Sequence, residues 1–182
     1  TTNRTHCIAG GDYTTQAVVQ ANHGIRMDTN YYYWPEAWIQ NRPGLFTGPG
    51  LAMRFADSTG VLIDCYQLAK PMTDESGQGY PAHIDSLLNR ALDARGYYGS
   101  FCANMHTDAP TSSGSDAIVA SCQARGVPVI SARQLLTWLD GREATALTGL
   151  TWTANQLHFA LSVPAGARNL QAMLPLYSAT GT

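Results

Sequence analysis

The stretch Tyr97-Tyr98-Gly99-Ser100-Phe101-Cys102-Ala103-Asn104-Met105-His106-Thr107-Asp108 decides how the chain folds. It opens on aromatic and small residues, as a buried strand does, and closes on a polar cluster of Asn104, His106, Thr107 and Asp108. Open α/β sheets and α/β barrels place their chemistry at the carboxyl ends of their strands. A strand over Tyr98–Met105 with His106 at its end therefore points to an α/β chain with a site there. The bland alternative is a loop histidine with a satisfied hydrogen bond. Downstream, Ala109 to Ser115 is a loop, and Ser115 caps a helix that buries Ile118, Val119 and Cys122 and ends at Gly126. Val127-Pro128-Val129-Ile130 reads as a short strand. Ser131-Ala132-Arg133-Gln134 reads as a capping box opening a helix that buries Leu135, Leu136 and Leu139 and ends at Gly141.

Upstream, Ile84, Leu87, Leu88, Ala91 and Leu92 form one apolar stripe at helical spacing from His83, stopped by Gly96. Lys70 to Tyr80 is polar, so Asp74-Glu75 reads first as a solvated loop and only second as paired carboxylates. Leu51–Asp57 and Val61–Leu68 form a hairpin turning at Ser58-Thr59-Gly60. From Ile25 to Tyr31 apolar and polar residues alternate, which marks a strand with Arg26, Asp28 and Asn30 on its polar face. Before it lie a helix over Gln16–Asn22 with Gly24 at its end, and a strand, Arg4 to Ala9, with Arg4 and His6 on one face. The aromatic run Tyr31-Tyr32-Tyr33-Trp34, followed by Trp38, is either a cluster roofing the sheet or a platform on which sugar rings stack.

After Arg142 the composition changes. Leu150–Thr153 and Gln156–Val163 read as strands joined at Ala154-Asn155, with a third candidate over Leu170–Leu174. The expected fold is thus α/β, a partial or distorted (β/α) barrel over residues 1–142 with a β-hairpin insertion. A C-terminal β-meander over 143–182 either packs on the barrel or opens a β-sandwich.

Composition narrows the function. Of 182 residues 45% are hydrophobic, enough for a core, and only 13% are charged, with net charge −2. No basic patch exists to follow a phosphate backbone, which argues against nucleic acid as a partner. No apolar run reaches the ~18 residues of a membrane span. No secretory leader is evident at Thr1-Thr2-Asn3, an absence that processing or truncation would produce. A single lysine, Lys70, beside much Thr, Ser, Gly, Asn and Tyr resembles the composition of secreted bacterial proteins. Cys7, Cys65, Cys102 and Cys122 lack the spacing of a local zinc knuckle, and their disulfide pairing is open among three connectivities.

Several of these stretches together resemble the later motifs of the polysaccharide deacetylase superfamily, metal-dependent carbohydrate esterases on a distorted (β/α) barrel. Gly99 to His106 looks like the final strand motif, ending in the histidine that protonates the leaving amine. Arg125-Gly126-Val127-Pro128 and Ser131 to Leu139 resemble the family's closing strand and helix. Gly24-Ile25-Arg26-Met27-Asp28 looks like the preceding motif, whose carboxylate orients that histidine, and Arg4-Thr5-His6 stands where the family carries Arg-x-Pro. The overlap runs from about Asn3 to Gly141.

The resemblance implies His106 as general acid, Asp28 as its orienter and Arg4 as the residue that tunes the catalytic base. Tyr32, Tyr33 and Trp34, with Asn104, would contact an acetylated glycan. It also implies a divalent metal, zinc above all. The family's Thr-Phe-Asp-Asp run and His-x-x-x-His pair are absent from this sequence, however, and no ligand set replaces them. The chain is then the C-terminal part of a larger secreted or cell-surface enzyme, inactive by itself, or a non-catalytic glycan-binding or surface-interaction relative. A third reading is a glycoside hydrolase on a similar barrel, pairing Asp28 with Asp64 or Asp108.

Overall fold

The computed structural model describes residues 1–4, 14–29, 50, 52–75, 77–94, 96 and 99–172, and the chain divides into two compact units, Thr1–Ala132 and Arg133–Thr182. The first unit alternates strands and helices: β1 (Thr2–Asn3), α1 (Thr15–Asn22), β2 (Met27–Asp28), β3 (Tyr66–Gln67), β4 (Met72–Thr73), α2 (Ala82–Leu92), β5 (Ala103–Asn104) and α3 (Ser113–Ala124). All five strands pair in parallel. β1, β2 and β3 form one sheet in that order, and β4 pairs with β5 in a second. Among the described residues these are two small sheets rather than one closed ring. Parallel strands are buried on both faces, and Met27, Asp28, Tyr66, Gln67, Met72 and Thr73 are all buried. The alternation in Ile25–Thr29 therefore does not give one wet face; Asp28 is fully enclosed.

The core of this unit lies between α2, α3 and the second sheet. Met72, Ile84, Leu87, Leu88, Ile118 and Cys122 are buried together, with Tyr80, Phe101, Met105 and Val127 packed around them. The stripe expected on α2 is present as far as Leu88, while Leu92 emerges at 60% exposure as the helix leaves the core. On α3 the buried face is Ile118, Ser121 and Cys122, and Val119 is exposed. The spacing i, i+3, i+4 is what one helix face requires, and Val119 turns a hundred degrees away from it. Ser121 is satisfied by donating to Asp85 Oδ1 at 2.8 Å, where Arg125 Nη1 also arrives at 2.9 Å, tying α3 to α2. Val127–Ile130 does not form the expected strand. Pro128 has no N–H to lend to a ladder, and Val129 and Ile130 are exposed.

The expected hairpin is present. Met53 pairs with Gln67 and Ala56 with Leu62, and Asp57 Oδ1 closes the turn by accepting from Thr59 N, Thr59 Oγ1 and Val61 N. Arg26 grips Asp64 through Nε and Nη2, each at 3.0 Å.

In the second unit α4 (Ala132–Glu143) leads into β6 (Ala146–Thr153) and β7 (Gln156–Ser162). The unit begins at Arg133, the second residue of α4. Gly141 lies inside the helix, not at its end, and a side chain there would meet the backbone nitrogen of Ala167 at 2.5 Å. Trp138 Nε1 donates to the Arg168 carbonyl at 3.0 Å, and Leu136, Leu139 and Ala167 are buried. The helix thus packs on the segment that follows the hairpin. Residues 170–172 are not in a strand, and Leu174 lies outside the described residues.

β6 and β7 pair antiparallel through a turn at Ala154 and Asn155, both with positive φ as a tight two-residue hairpin turn demands. Between Thr148 and Thr151 the register slips by a bulge at Gly149, whose φ of 62° suits glycine. Leu147 faces Leu161 on one side of the bulge and Trp152 faces Leu157 on the other. The bulge thereby gathers Leu147, Trp152, Leu157, Phe159 and Leu161 on one face and leaves threonines, Gln156, His158 and Ser162 on the other.

Candidate functional site

The site grows from the register of β4 and β5. Met72 lies opposite Ala103 and Thr73 opposite Asn104. In a parallel pair the residues that follow the two strands leave from the same edge, so the loop at Asp74-Glu75 meets the loop at Met105-His106. There the carboxylate of Asp74 takes His106 with both oxygens. Oδ2 accepts the backbone N–H of His106 at 2.9 Å, and Oδ1 lies 3.0 Å from ring Nδ1. Nε2 is left pointing outward, 3.6 Å from Glu75 Oε1 and beyond hydrogen-bond length. The loop behind Asp74 is fastened to its own strand: Glu75 N donates to Thr73 Oγ1, Tyr80 Oη donates to the Thr73 carbonyl, and Gln78 Oε1 accepts from Thr73 N. Asp74 and Glu75 are thus exposed yet held in place, not the free solvated run their composition indicates.

This pairing sets the electrostatics. The hydrogen bond that the ring gives to Asp74, then the charges of Asp74 and Glu75, hold the His106 imidazole above its ordinary pKa, so the protonated ring persists to higher pH than in a free imidazole. Partial burial pulls the Asp74 carboxyl upward, but the backbone N–H and ring of His106 outweigh it and keep the group below the usual carboxylate value. The signs fix the pH window. His106, with its pKa raised on folding, contributes stability that is full below the ordinary imidazole value and is lost as pH rises through the folded one. Asp74, with its pKa depressed, contributes stability that is full above the ordinary carboxyl value and is lost as pH falls through the folded one. Asp74→Asn is expected to lower the pH at which His106 titrates, as read from its ring proton shifts by NMR. An unchanged titration would mean that the pair does not form in solution.

A second group of charges comes from the other strand ends. Lys70, the sole lysine, is buried just past β3. Burial, then the charge of Arg4, lowers its ammonium pKa, while Cys102, Glu75 and Asp28 oppose the shift. The same neighbourhood pushes the Cys102 thiol up to about 11, by burial above all. Cys65, Cys102 and Cys122 are free thiols, and Cys7 lies outside the described residues.

The expected site residues divide accordingly. His106 lies two residues past the end of β5, which spans Ala103–Asn104 rather than Tyr98–Met105, and the carboxylate at its ring is that of Asp74, not Asp28. Asp28 Oδ2 is taken by Gln16 Nε2 at 2.5 Å and Gln20 Nε2 at 2.9 Å, inside the sheet, and His106 Nδ1 is satisfied by Asp74. Arg4 is exposed at the end of β1, within electrostatic reach of Lys70 and Cys102. Asn104 spends its amide on the Thr29 carbonyl at 3.2 Å, tying β5 to β2. Tyr32, Tyr33 and Trp34 lie outside the described residues. Asp64 is engaged by Arg26 on the hairpin. Asp74 is the participant that sequence reasoning passed over. The available signal was its position directly after a buried Met-Thr pair, where a parallel strand would end.

Beside His106 opens a cavity of about 460 Å³, lined by Asp74, Gln78, Tyr80 and Met105 and by residues 111–114 at the start of α3. Among the described residues no group of three His, Cys, Asp or Glu side chains is placed to hold a metal ion. Among the same residues no helix is long and apolar enough to cross a membrane. No protein-family model, curated protein or solved structure matches the chain.

Proposed function

We propose that this chain is the acid-supplying portion of a polysaccharide deacetylase-like hydrolase that removes N- or O-acetyl groups from a secreted or cell-surface glycan. The observation that carries the reading is the His106 imidazole, held by Asp74 at the carboxyl edge of two parallel strands beside an open cavity. A distorted (β/α) barrel is the architecture that would complete the five parallel strands. His106 is the catalytic residue and Asp74 its positioning residue, in place of the Asp28 that the family motif implies.

In such a hydrolysis a water oxygen bonds to the acyl carbon while the C–N or C–O bond to the sugar breaks. The leaving nitrogen or oxygen takes its proton from His106 Nε2, and the raised pKa holds that proton on the ring to higher pH than a free imidazole would. Asp74 holds Nδ1, so Nε2 is the nitrogen presented to the substrate. Glu75 Oε1 lies 3.6 Å from Nε2, beyond hydrogen-bond length, and gives way there to the substrate atom. The base that takes the water's proton belongs, in the family, to a motif this sequence lacks, as do the metal ligands.

The chain by itself is therefore expected to release no acetate from an acetylated chitooligosaccharide, with or without added zinc. The sequence encoded ahead of Thr1 is expected to carry an Asp-Asp run and a His-x-x-x-His pair. Acetate release by the 182-residue chain itself would overturn the division of labour. An upstream sequence without those motifs would leave a glycan-binding protein that performs no hydrolysis.

A further inference from the structure

Two side chains fasten β4 to the start of α2. Tyr80 Oη donates to the Thr73 carbonyl at 3.1 Å. His83, the second residue of α2 and only 2% exposed, donates from ring Nε2 to the Pro71 carbonyl at 3.0 Å. A carbonyl oxygen can only accept, so Nε2 carries the ring hydrogen and Nδ1 the lone pair. Nδ1 is enclosed and, among the described residues, has no hydrogen-bond partner. The ring is thus held as one neutral tautomer, edge-on to Tyr80 with centroids 6.2 Å apart.

A second proton has no acceptor there. It would create an enclosed N–H with nothing to meet and a charge out of water, both of them costly. The first turn of a helix also disfavours a cation. The charged groups on the surrounding elements are engaged elsewhere: Asp74 with His106, and Asp85 of α2 with Ser121 and Arg125 of α3. Asp116 of α3 is exposed. Lys70, the residue before Pro71, could only repel. Burial pushes the Tyr80 phenol up to about 12 and raises the Cys122 thiol, so both stay neutral. Burial likewise holds the His83 imidazole below its ordinary pKa, with the Pro71 carbonyl opposing.

We propose that His83 is an acid-released latch on the site: neutral, it holds α2 to the start of β4, and protonated, it must leave its slot and free the strand that delivers Asp74 to His106. Pro71, Met72, Thr73 and Asp74 are consecutive, so the release is passed directly to the carboxylate. The latch needs the Asp74–His106 pair but not the deacetylase reading. A depressed imidazole contributes stability that is full above the ordinary value and is lost as pH falls toward the folded one. Below that ordinary value the contribution of His106 is already full, so the two histidines act in different pH ranges.

His83→Gln keeps a donor for the Pro71 carbonyl and cannot titrate. Urea unfolding of the 182-residue chain and of this variant would be followed from about pH 7 to about pH 5. Hydrogen exchange at the His106 N–H, corrected for its intrinsic pH dependence, would be followed beside it. Below the ordinary imidazole value, wild type is expected to lose up to about tenfold in its folding equilibrium per pH unit relative to the variant, the effect of one proton. Protection of the His106 N–H is expected to fall before the first unit unfolds, in wild type alone. Ring nitrogen shifts of His83 need no variant: Nδ1 should stay unprotonated in the folded chain where a free imidazole is half protonated. If His83→Gln fails to fold, these shifts and the wild-type exchange decide. Equal pH dependence of the two chains, or a His83 ring that titrates at or above the free value, would overturn the latch. So would His106 protection that is lost only on global unfolding, which would leave His83 a buried base of the core and no switch.

Discussion

His106→Ala is expected to lower acetyl release about 10²–10⁴-fold, the usual contribution of a positioned general acid, in the protein that joins this chain to the metal-binding motifs. Saccharide affinity is expected to change little, because the imidazole stands beside the cavity and its residues are not among those lining it. The pH profile separates acid catalysis from a merely structural part. With the wild-type chain the alkaline limb of turnover should lie above the ordinary imidazole value, because Asp74 holds the proton on the ring. Asp74→Asn should move that limb toward lower pH. Turnover that survives the loss of His106 would remove the imidazole from the mechanism.

The second large effect is on stability. Leu87 is fully buried between Met72, Ile84, Leu88, Ile118 and Cys122, where α2, α3 and the second sheet meet. Leu87→Ala leaves a cavity that such a core closes only in part, at a cost of about 2–5 kcal/mol. Since whole domains are stable by only about 5–15 kcal/mol, the urea midpoint should fall steeply. Leu92→Ala, on the same helix but at 60% exposure, should stay within about 0.5 kcal/mol of wild type. Equal midpoints for the two variants would mean that the first unit is not organised around this cluster.

Much of the scaffold could be read from residue order. The helices over 82–92, 113–124 and 132–143 announce themselves through apolar period, because helix contacts are local and leave a local trace, whereas their ends were misplaced: Ser112 rather than Ser115 caps the second, and Gly141 lies inside the third. The hairpin at Ser58-Thr59-Gly60 and the turn at Ala154-Asn155 were legible for the same reason. The partner of His106 was not. Asp74 lies 32 residues away and is joined to it by the pairing of two two-residue strands, a relation that no periodicity encodes. Asp28 misled because alternation in Ile25–Thr29 resembles a strand with one wet face, whereas in a parallel sheet both faces are covered and glutamines from α1 meet the carboxylate. Gln78 and Tyr80 carry no motif at all. They matter because a loop folds back on Thr73, and only coordinates show which of its polar atoms is left over.

The bulge at Gly149 makes the sidedness of the β6–β7 hairpin a matter of counting. Leu147 has an odd number and Trp152 an even one, so in an unbroken strand they would point to opposite sides. One supernumerary residue reconciles them. Excising Leu150 would therefore remove the bulge and leave Leu147 and Trp152 on the same side, whereas forcing all eight residues into a regular ladder would send Leu147 among the threonines. Parity, more than hydrophobic content, decides whether this ribbon offers its neighbours an oily side at all.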